Sequence, residues 1–343
     1  MKEKELPELL APAGSIESVY AAVRCGCNAV YAGGERFSAR ANAVNFTTEE
    51  LTEAITYCHK HDVKFYQAMN TLVFDDEVKD FLAEAEKAAR LGVDALIIQD
   101  LGMAMLLKKY IPEMKLNAST QMTIHTENGA MLAKELGFSR VVLSRELSFE
   151  QIERISKIDI ETEVFIHGAL CMSVSGQCYM SAAIGSRSAN RGLCAQACRL
   201  PFSAILNEER YDLSLKDLSL VSHIDKLAML GIKSFKIEGR MKRAEYVAAA
   251  VLACRAKLDD KIPDMDTLRA VFSRSGFTDG YLTGNLGKEM FGIRQKEDVV
   301  SANDVLPLLR ENYRKETKSR IANFHMIIKK DTPVQLEMTS KNI

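Results

Sequence analysis

The segment RLGVDALIIQD, Arg90 to Asp100, contains the junction on which the fold turns. Gly92 stops a helix, because glycine enters the left-handed conformation without a Cβ penalty. An apolar residue and a polar one follow, and then Ala95 to Ile98 form a short apolar run that reads as a buried parallel strand. The same plan recurs in RCGCNAVYAGG (Arg24 to Gly34), ELGFSRVVLSRE (Glu135 to Glu146) and MLGIKSFKIEGR (Met229 to Arg240). Each copy is a helix-to-strand unit.

Four more strands are predicted without the glycine: Glu8 to Pro12, Lys64 to Asn70, Lys115 to Thr120 and Glu163 to Gly168. Amphipathic stretches such as Thr48 to His59 and Asp76 to Arg90 separate most of them, with capping residues at Thr47 and Ser148. Eight strands alternating with helices by Arg240, followed by a helix from Arg243 to Leu258, predict an α/β fold of the closed (β/α)8, TIM-like type. An open doubly wound sheet is the rival, since sequence does not display closure, although no G-x-G-x-x-G follows the first strand. The barrel is expected over residues 1–258, with a cysteine-rich insertion at 169–215 after the seventh strand. A hairpin is expected from Phe202 to Leu215, turning at Asn207-Glu208-Glu209. Residues 259–343 read as a C-terminal helical and strand extension, with helices at Met265 to Phe272 and Val305 to Tyr313 and strands at Ile321 to Ile328 and Val334 to Met338. A natural chain extending past Ile343 fits that unfinished look.

With 343 residues, 47% of them hydrophobic and 27% charged, the chain is able to bury a large core. The net charge of -1 excludes a strongly basic protein but not a local basic surface. Met1 to Glu8 is charged, and no run of 18 apolar residues occurs, so a cytoplasmic protein without a membrane segment is expected. The oligomeric state is not legible.

Four of the eight cysteines, Cys171, Cys178, Cys194 and Cys198, fall in one glycine-punctuated stretch at C-x6-C-x15-C-x3-C spacing. In a reducing compartment such clustering points to a metal or redox group. A structural zinc site usually shows tight C-x2-4-C pairs, which only Cys194 and Cys198 approach. An iron–sulfur cluster tolerates wider spacing, and the C-x-x-C of a redox disulfide is absent. Iron–sulfur and zinc both stay open on spacing. Cys25, Cys27, Cys58 and Cys254 lie in apolar or helical patterns and read as core residues.

In a barrel, the residues just past each strand converge. Here they include Asn70, Asp100, Gln121, Arg145, Glu146, His167, Glu238 and Arg240, more charge than packing requires. Plainer readings exist: Arg145 with Glu146 and Glu238 with Arg240 could pair across strands, Asp100 could cap a helix, and His167 could be a core histidine. As a group they favour a site.

The run Glu163-x-Phe165-x-x-Gly168-Ala169-Leu170-Cys171-x4-Gly176-x-Cys178-x-Met180-Ser181 resembles the signature of the peptidase U32 family, also described as collagenase-like proteases. ELLAPAGSIES (Glu8 to Ser18), FSARANAVNFT (Phe37 to Thr47), SLKDLSL (Ser214 to Leu220) and KIEGRMK (Lys236 to Lys242) extend the likeness over the whole barrel. FTDGYLTGNLGKEMFG, Phe277 to Gly292, is most similar to the ribosomal RNA hydroxylation branch. The resemblance implies a 4Fe–4S cluster and oxygen-independent hydroxylation of a base in 23S rRNA or tRNA, with prephenate as oxygen donor. It also implies Cys171, Cys178 and Cys194 as cluster ligands. Where many relatives carry a further cysteine ligand this chain has Ser219, so Cys198 is assigned as the fourth by analogy with members using the C-x3-C pair. Glu163, His167, Glu238 and Asp100 are the candidate catalytic groups, and Arg145, Arg240, Asn70 and Gln121 the candidate substrate-binding ones. Arg187, Arg191, Arg199, Lys242 and Arg243 are expected to meet RNA phosphates. The alternatives are a peptidase, for which Cys171 with His167 is the only candidate pair, and a non-catalytic iron–sulfur partner protein.

Overall fold

The computed structural model describes residues 6–39, 45–202, 210–314, 321–327 and 335–341. The chain opens with β1 (Glu8–Pro12), α1 (Ile16–Arg24), β2 (Ala29–Gly33), α2 (Thr48–Lys60), β3 (Lys64–Met69), α3 (Val78–Leu91) and β4 (Ala95–Ile98). It continues with α4 (Leu101–Tyr110), β5 (Leu116–Ala118), α5 (Glu127–Glu135), β6 (Arg140–Val142), α6 (Phe149–Ser156) and β7 (Glu161–Ala169). Then follow α7 (Met180–Gly185), β8 (Asp217–Ser219), α8 (Ile224–Met229), β9 (Ser234–Ile237) and α9 (Ala244–Leu258).

The glycines of the recurring junction behave as their chemistry requires. Gly26, Gly92, Gly137 and Gly231 take φ of 97°, 88°, 82° and 78°, and the strand follows within a few residues each time. Helix starts are capped as the sequence predicts, with capping boxes at Thr47/Glu50 and Ser148/Gln151. Strands β1 to β7 pair in order, all parallel; β9 then pairs in parallel with both β7 and β1, through Val164↔Phe235 and Leu9↔Phe235. That double pairing closes an eight-stranded parallel barrel and removes the open-sheet alternative. At its mouth a Cβ on Gly14 would collide with the Arg240 carbonyl oxygen, so the β9 loop lies against the β1 loop only because residue 14 is glycine.

Strand β8 stands outside the ring. It lies antiparallel on the end of β7, with Ala169↔Asp217 and His167↔Ser219, and β10 (Phe277–Thr278) extends it in parallel. The turn of the expected Phe202 to Leu215 hairpin lies outside the described residues; the one bridge between its flanks, Phe202 to Tyr211, is parallel and so is not hairpin pairing. Beyond α9 come α10 (Met265–Val271), α11 (Gly280–Thr283) and α12 (Lys296–Arg314), which is longer than the sequence suggested and contains Pro307. Helix α12 is tied to the barrel's outer helices by Arg310–Glu245, by the Tyr313 hydroxyl donating to Glu17, and by Arg24 donating to the Tyr313 carbonyl. Strands β11 (Ile321–Ile327) and β12 (Gln335–Lys341) pair antiparallel with each other.

The main core fills the space between strands and helices. Inside the barrel a smaller apolar group, Leu10, Ala29, Tyr31, Tyr66, Ala95 and Ile97, shares the interior with charges. Arg140 donates to Glu8, Glu161 and Glu163, Lys236 donates to Glu163 at 2.8 Å, and the Tyr66 hydroxyl donates to Glu8. Inward strand positions alternate, and one charged inward residue each from β6, β7 and β9, namely Arg140, Glu163 and Lys236, meet at the same level.

Candidate active site

A cavity of about 380 Å3 opens at the end of the barrel where the strands point, beneath the segment that follows β7. Its walls combine Tyr31, Ile97 and Phe165 with Asn70, Ser119 and Gln121, and with Arg145, Lys236, Glu238 and Arg240. Cys171, Cys178, Cys194 and Cys198 line the same space. The four predicted thiols therefore converge on the predicted polar ring.

The polar residues are positioned by the loops behind them. Asn70 accepts from the Ala39 backbone N–H and donates to the Ser119 hydroxyl. Arg145 donates to Glu238 at 2.8 Å and to the Ala169 carbonyl, and its guanidinium carbon lies 3.8 Å from the Phe165 ring centroid. Arg145 thus pairs with Glu238 rather than with its sequence neighbour. Arg240 donates to the Ser38 hydroxyl. The Arg145 Nε and Gln121 Oε1 are buried with no hydrogen-bond partner among the described residues, in two residues that line the cavity.

Three predicted catalytic residues sit elsewhere. Asp100 caps α4, accepting from the Met103 N–H, and also accepts from Val73. Glu163 lies below the cavity, 1% exposed, in the layer with Arg140 and Lys236, whose charges hold its carboxyl ionised against burial. It occupies mid-strand, not a strand end. His167 is 1% exposed, between Tyr246 and Phe277, with the backbone of Leu218 beside its ring. Burial, with Lys242 nearby, lowers its pKa to about 3, so the ring is neutral. These side chains do not line the cavity. Conversely, sequence reasoning missed Tyr31, Phe165 and Lys236. Lys236 reaches the cavity floor, its Nζ 4.4 Å from the Tyr31 ring centroid; its alternation with Ser234 and Glu238 was the available signal.

The cysteine segment is held down along its length. Glu146 accepts from both the backbone N–H and the hydroxyl of Ser175, whose φ is 42°. Ser186 and Gln196 also take positive φ, so strained backbone accumulates here. Asn190 donates to Gln99, and Arg191 forks onto Glu77 while donating to the Leu72 carbonyl. Arg199 donates to Ser214 and to the carbonyls of Leu170 and Leu215. Arg191 and Arg199 are thereby committed to the protein, contrary to the expectation that they meet phosphates, whereas Arg187 and Arg243 are exposed.

Cys171, Cys178, Cys194 and Cys198 share one cavity. Among the described residues no three His, Cys, Asp or Glu side chains stand close enough to share a single metal. Yet Cys198 feels the charges of Cys171, Cys178 and Cys194. The sulfurs of Cys178 and Cys194 accept backbone N–H groups of Met180 and Gln196, both at 3.4 Å, an arrangement that stabilises thiolate ligands. Ser219 is buried beside His167 and does not line the cavity.

These features define a closed barrel with its site at the strand ends, roofed by a cysteine-bearing insertion. The chain belongs to peptidase family U32, whose family model matches residues 14–292. It is 40% identical over 276 residues to the 23S rRNA 5-hydroxycytidine C2501 synthase of Escherichia coli (strain K12), covering 78% of this chain and 42% of that protein. The chain thus spans less than half of that relative's length. It is 35% identical over 329 residues to tRNA hydroxylation protein P1 of Bacillus subtilis (strain 168), covering 85% of this chain and 75% of that protein. A Collagenase of Porphyromonas gingivalis (strain ATCC BAA-308 / W83) is 34% identical over 308 residues, covering 81% and 73%. Among the described residues no helix is long and apolar enough to cross a membrane.

Proposed function

We propose that this chain hydroxylates a nucleobase of RNA without molecular oxygen, with a 4Fe–4S cluster held by Cys171, Cys178, Cys194 and Cys198. The observation that carries the reading is the convergence of four thiols and a cationic ring on one cavity. The relatives named for rRNA and tRNA hydroxylation support it. When bound, the cluster supplies one-electron chemistry.

The chain's own residues do the rest. Arg145 and Arg240 orient a small carboxylate oxygen donor, which the family resemblance gives as prephenate, and Lys236 adds positive charge at the floor. Glu238, fixed by Arg145, is placed to take a proton from the reacting base. Tyr31 and Phe165 supply flat apolar walls for the base, and the cysteine roof excludes water.

The peptidase reading loses its machinery in this geometry. His167 is buried, neutral and absent from the cavity that Cys171 lines, so the pair needed for an activated thiolate is not assembled. Anaerobic purification with iron and sulfide analysis should find about four of each per chain. Mass spectrometry of rRNA and tRNA from a deletion strain should show one hydroxylated nucleoside missing. One zinc per chain, or unchanged modification in both RNAs, would overturn the proposal.

A further inference from the structure

Phe272, at the end of α10, gathers three cations. The Lys242 Nζ lies 2.9 Å from its ring centroid, the Arg294 guanidinium carbon 4.5 Å and that of Arg274 5.1 Å. They arrive from separate loops, after β9, after α10 and before α12. A ring face attracts a cation by roughly 0.5–2 kcal/mol, but three positive groups around one ring also repel each other. Exposed Arg243 adds to the charge felt by Arg294.

Few carboxylates answer them. Asp217 is buried and already bonded to Arg274. Glu238 is held by Arg145, and Asp298 accepts from the Gln295 N–H at the start of α12. Among the described residues Lys242 and Arg294 make no ion pair. Burial is the main cause that lowers the Lys242 pKa to about 7; Asp217 and Glu238 oppose it, and Arg274 and Arg294 add to it. Lys242 and Arg274 line the cavity, whereas Arg294 is exposed. The cluster therefore spans the rim, one end facing the site and the other facing solvent. A free carboxylate donor needs only the inner end; a strand passing the rim while one base turns inward needs both.

We propose that Lys242, Arg274 and Arg294 form an oxyanion site for one backbone phosphate of a single-stranded RNA segment, adjacent to the nucleotide whose base enters the cavity. The proposal rests on the RNA reading above. Arg274 is anchored by Asp217, so Lys242 and Arg294 carry the recognition, with donors suited to adjacent phosphate oxygens.

Two measurements on the full chain test it: the pH dependence of Lys242 acetylation, read by mass spectrometry, and the anisotropy of a labelled short single-stranded oligoribonucleotide over a salt series. The oligoribonucleotide should raise the apparent pKa of Lys242 by about one unit, since an opposite charge now sits beside it. Lys242→Gln with Arg294→Gln should weaken binding about tenfold, equally for all sequences, and flatten the salt slope by about 0.7, the loss of one single-strand phosphate contact. Circular dichroism matching the wild type verifies that the variant folds, and Arg294→Gln alone, at an exposed position, should give part of the loss. An unchanged slope in a variant that still binds overturns the site, as does a Lys242 that no ligand moves. Inorganic phosphate or prephenate shifting Lys242 as far as the oligoribonucleotide would assign the cluster to a small ligand and overturn the strand assignment. Wild-type protein that binds no oligoribonucleotide would instead sink the RNA reading itself.

Discussion

The lower and upper halves of the barrel interior are both charged, yet they are finished differently. Below, Glu8, Arg140, Glu163 and Lys236 form a closed network in which each charge has an opposite charge within hydrogen-bond reach. Above, Arg145 Nε and Gln121 Oε1 are buried with no hydrogen-bond partner among the described residues, and four thiols line the cavity. A satisfied layer stabilises, and an unsatisfied one waits for a ligand. Charge inside a barrel is therefore not by itself the mark of a site; incomplete pairing is.

Substitutions should separate the halves by the size of their stability effect. Glu163→Ala leaves Lys236 and Arg140 short of a partner in the buried layer and should cost about 3–5 kcal/mol, measured by urea denaturation. A loss under about 1 kcal/mol would show that water reaches this layer.

His167 belongs to neither half: it is packed against α9 and β10, outside the cavity, with a displaced pKa. Its pKa is near 3 when folded against 6.5 for the free side chain, so the unfolded chain takes the proton first as pH falls. Its contribution is complete above about pH 6.5 and is lost progressively toward pH 3, at up to about 1.4 kcal/mol per pH unit. His167→Phe should flatten the curve of stability against pH in that window. Equal slopes in the two proteins would mean that His167 finds a proton acceptor in solution.

In the upper half the stability effects are small and the functional ones large. If the proposed cluster is present, Cys178→Ala should remove its iron and visible absorption while changing the stability of the metal-free chain by no more than about 1 kcal/mol. Retention of full iron would place the ligand set elsewhere. Gln121→Leu, which deletes a buried oxygen with no partner among the described residues, should be neutral or slightly stabilising, within about 1 kcal/mol, and still impair the proposed RNA hydroxylation. A clear destabilisation would reveal a hidden partner for that amide.

The same contrast explains what was legible in the chain. A left-handed glycine before an apolar run marks four barrel strands and a short apolar run between helical stretches marks the other four; both are local signals, so all eight could be read. Closure depends on Leu9 meeting Phe235, a contact between distant residues, and no local pattern records it. Strand β8 has only three residues and borrows its order from β7, so it gave no periodicity. At the site, cysteine spacing and strand-end polarity pointed to the right face. Glu163 was misplaced because a charge next to an apolar run looks the same at a strand's end as one layer down. Arg140 and Lys236 were missed for that reason too.

The pairing of Ala169 with Asp217 has a further consequence. The cysteine-bearing excursion leaves and rejoins the barrel at adjacent points, so its length scarcely alters the entropy of closing it. Such a segment can lengthen, shorten or be exchanged between relatives while the strands beneath keep their register. The roof is in effect a cartridge, and the barrel a socket on which different substrates could be accommodated by changing one continuous piece of chain.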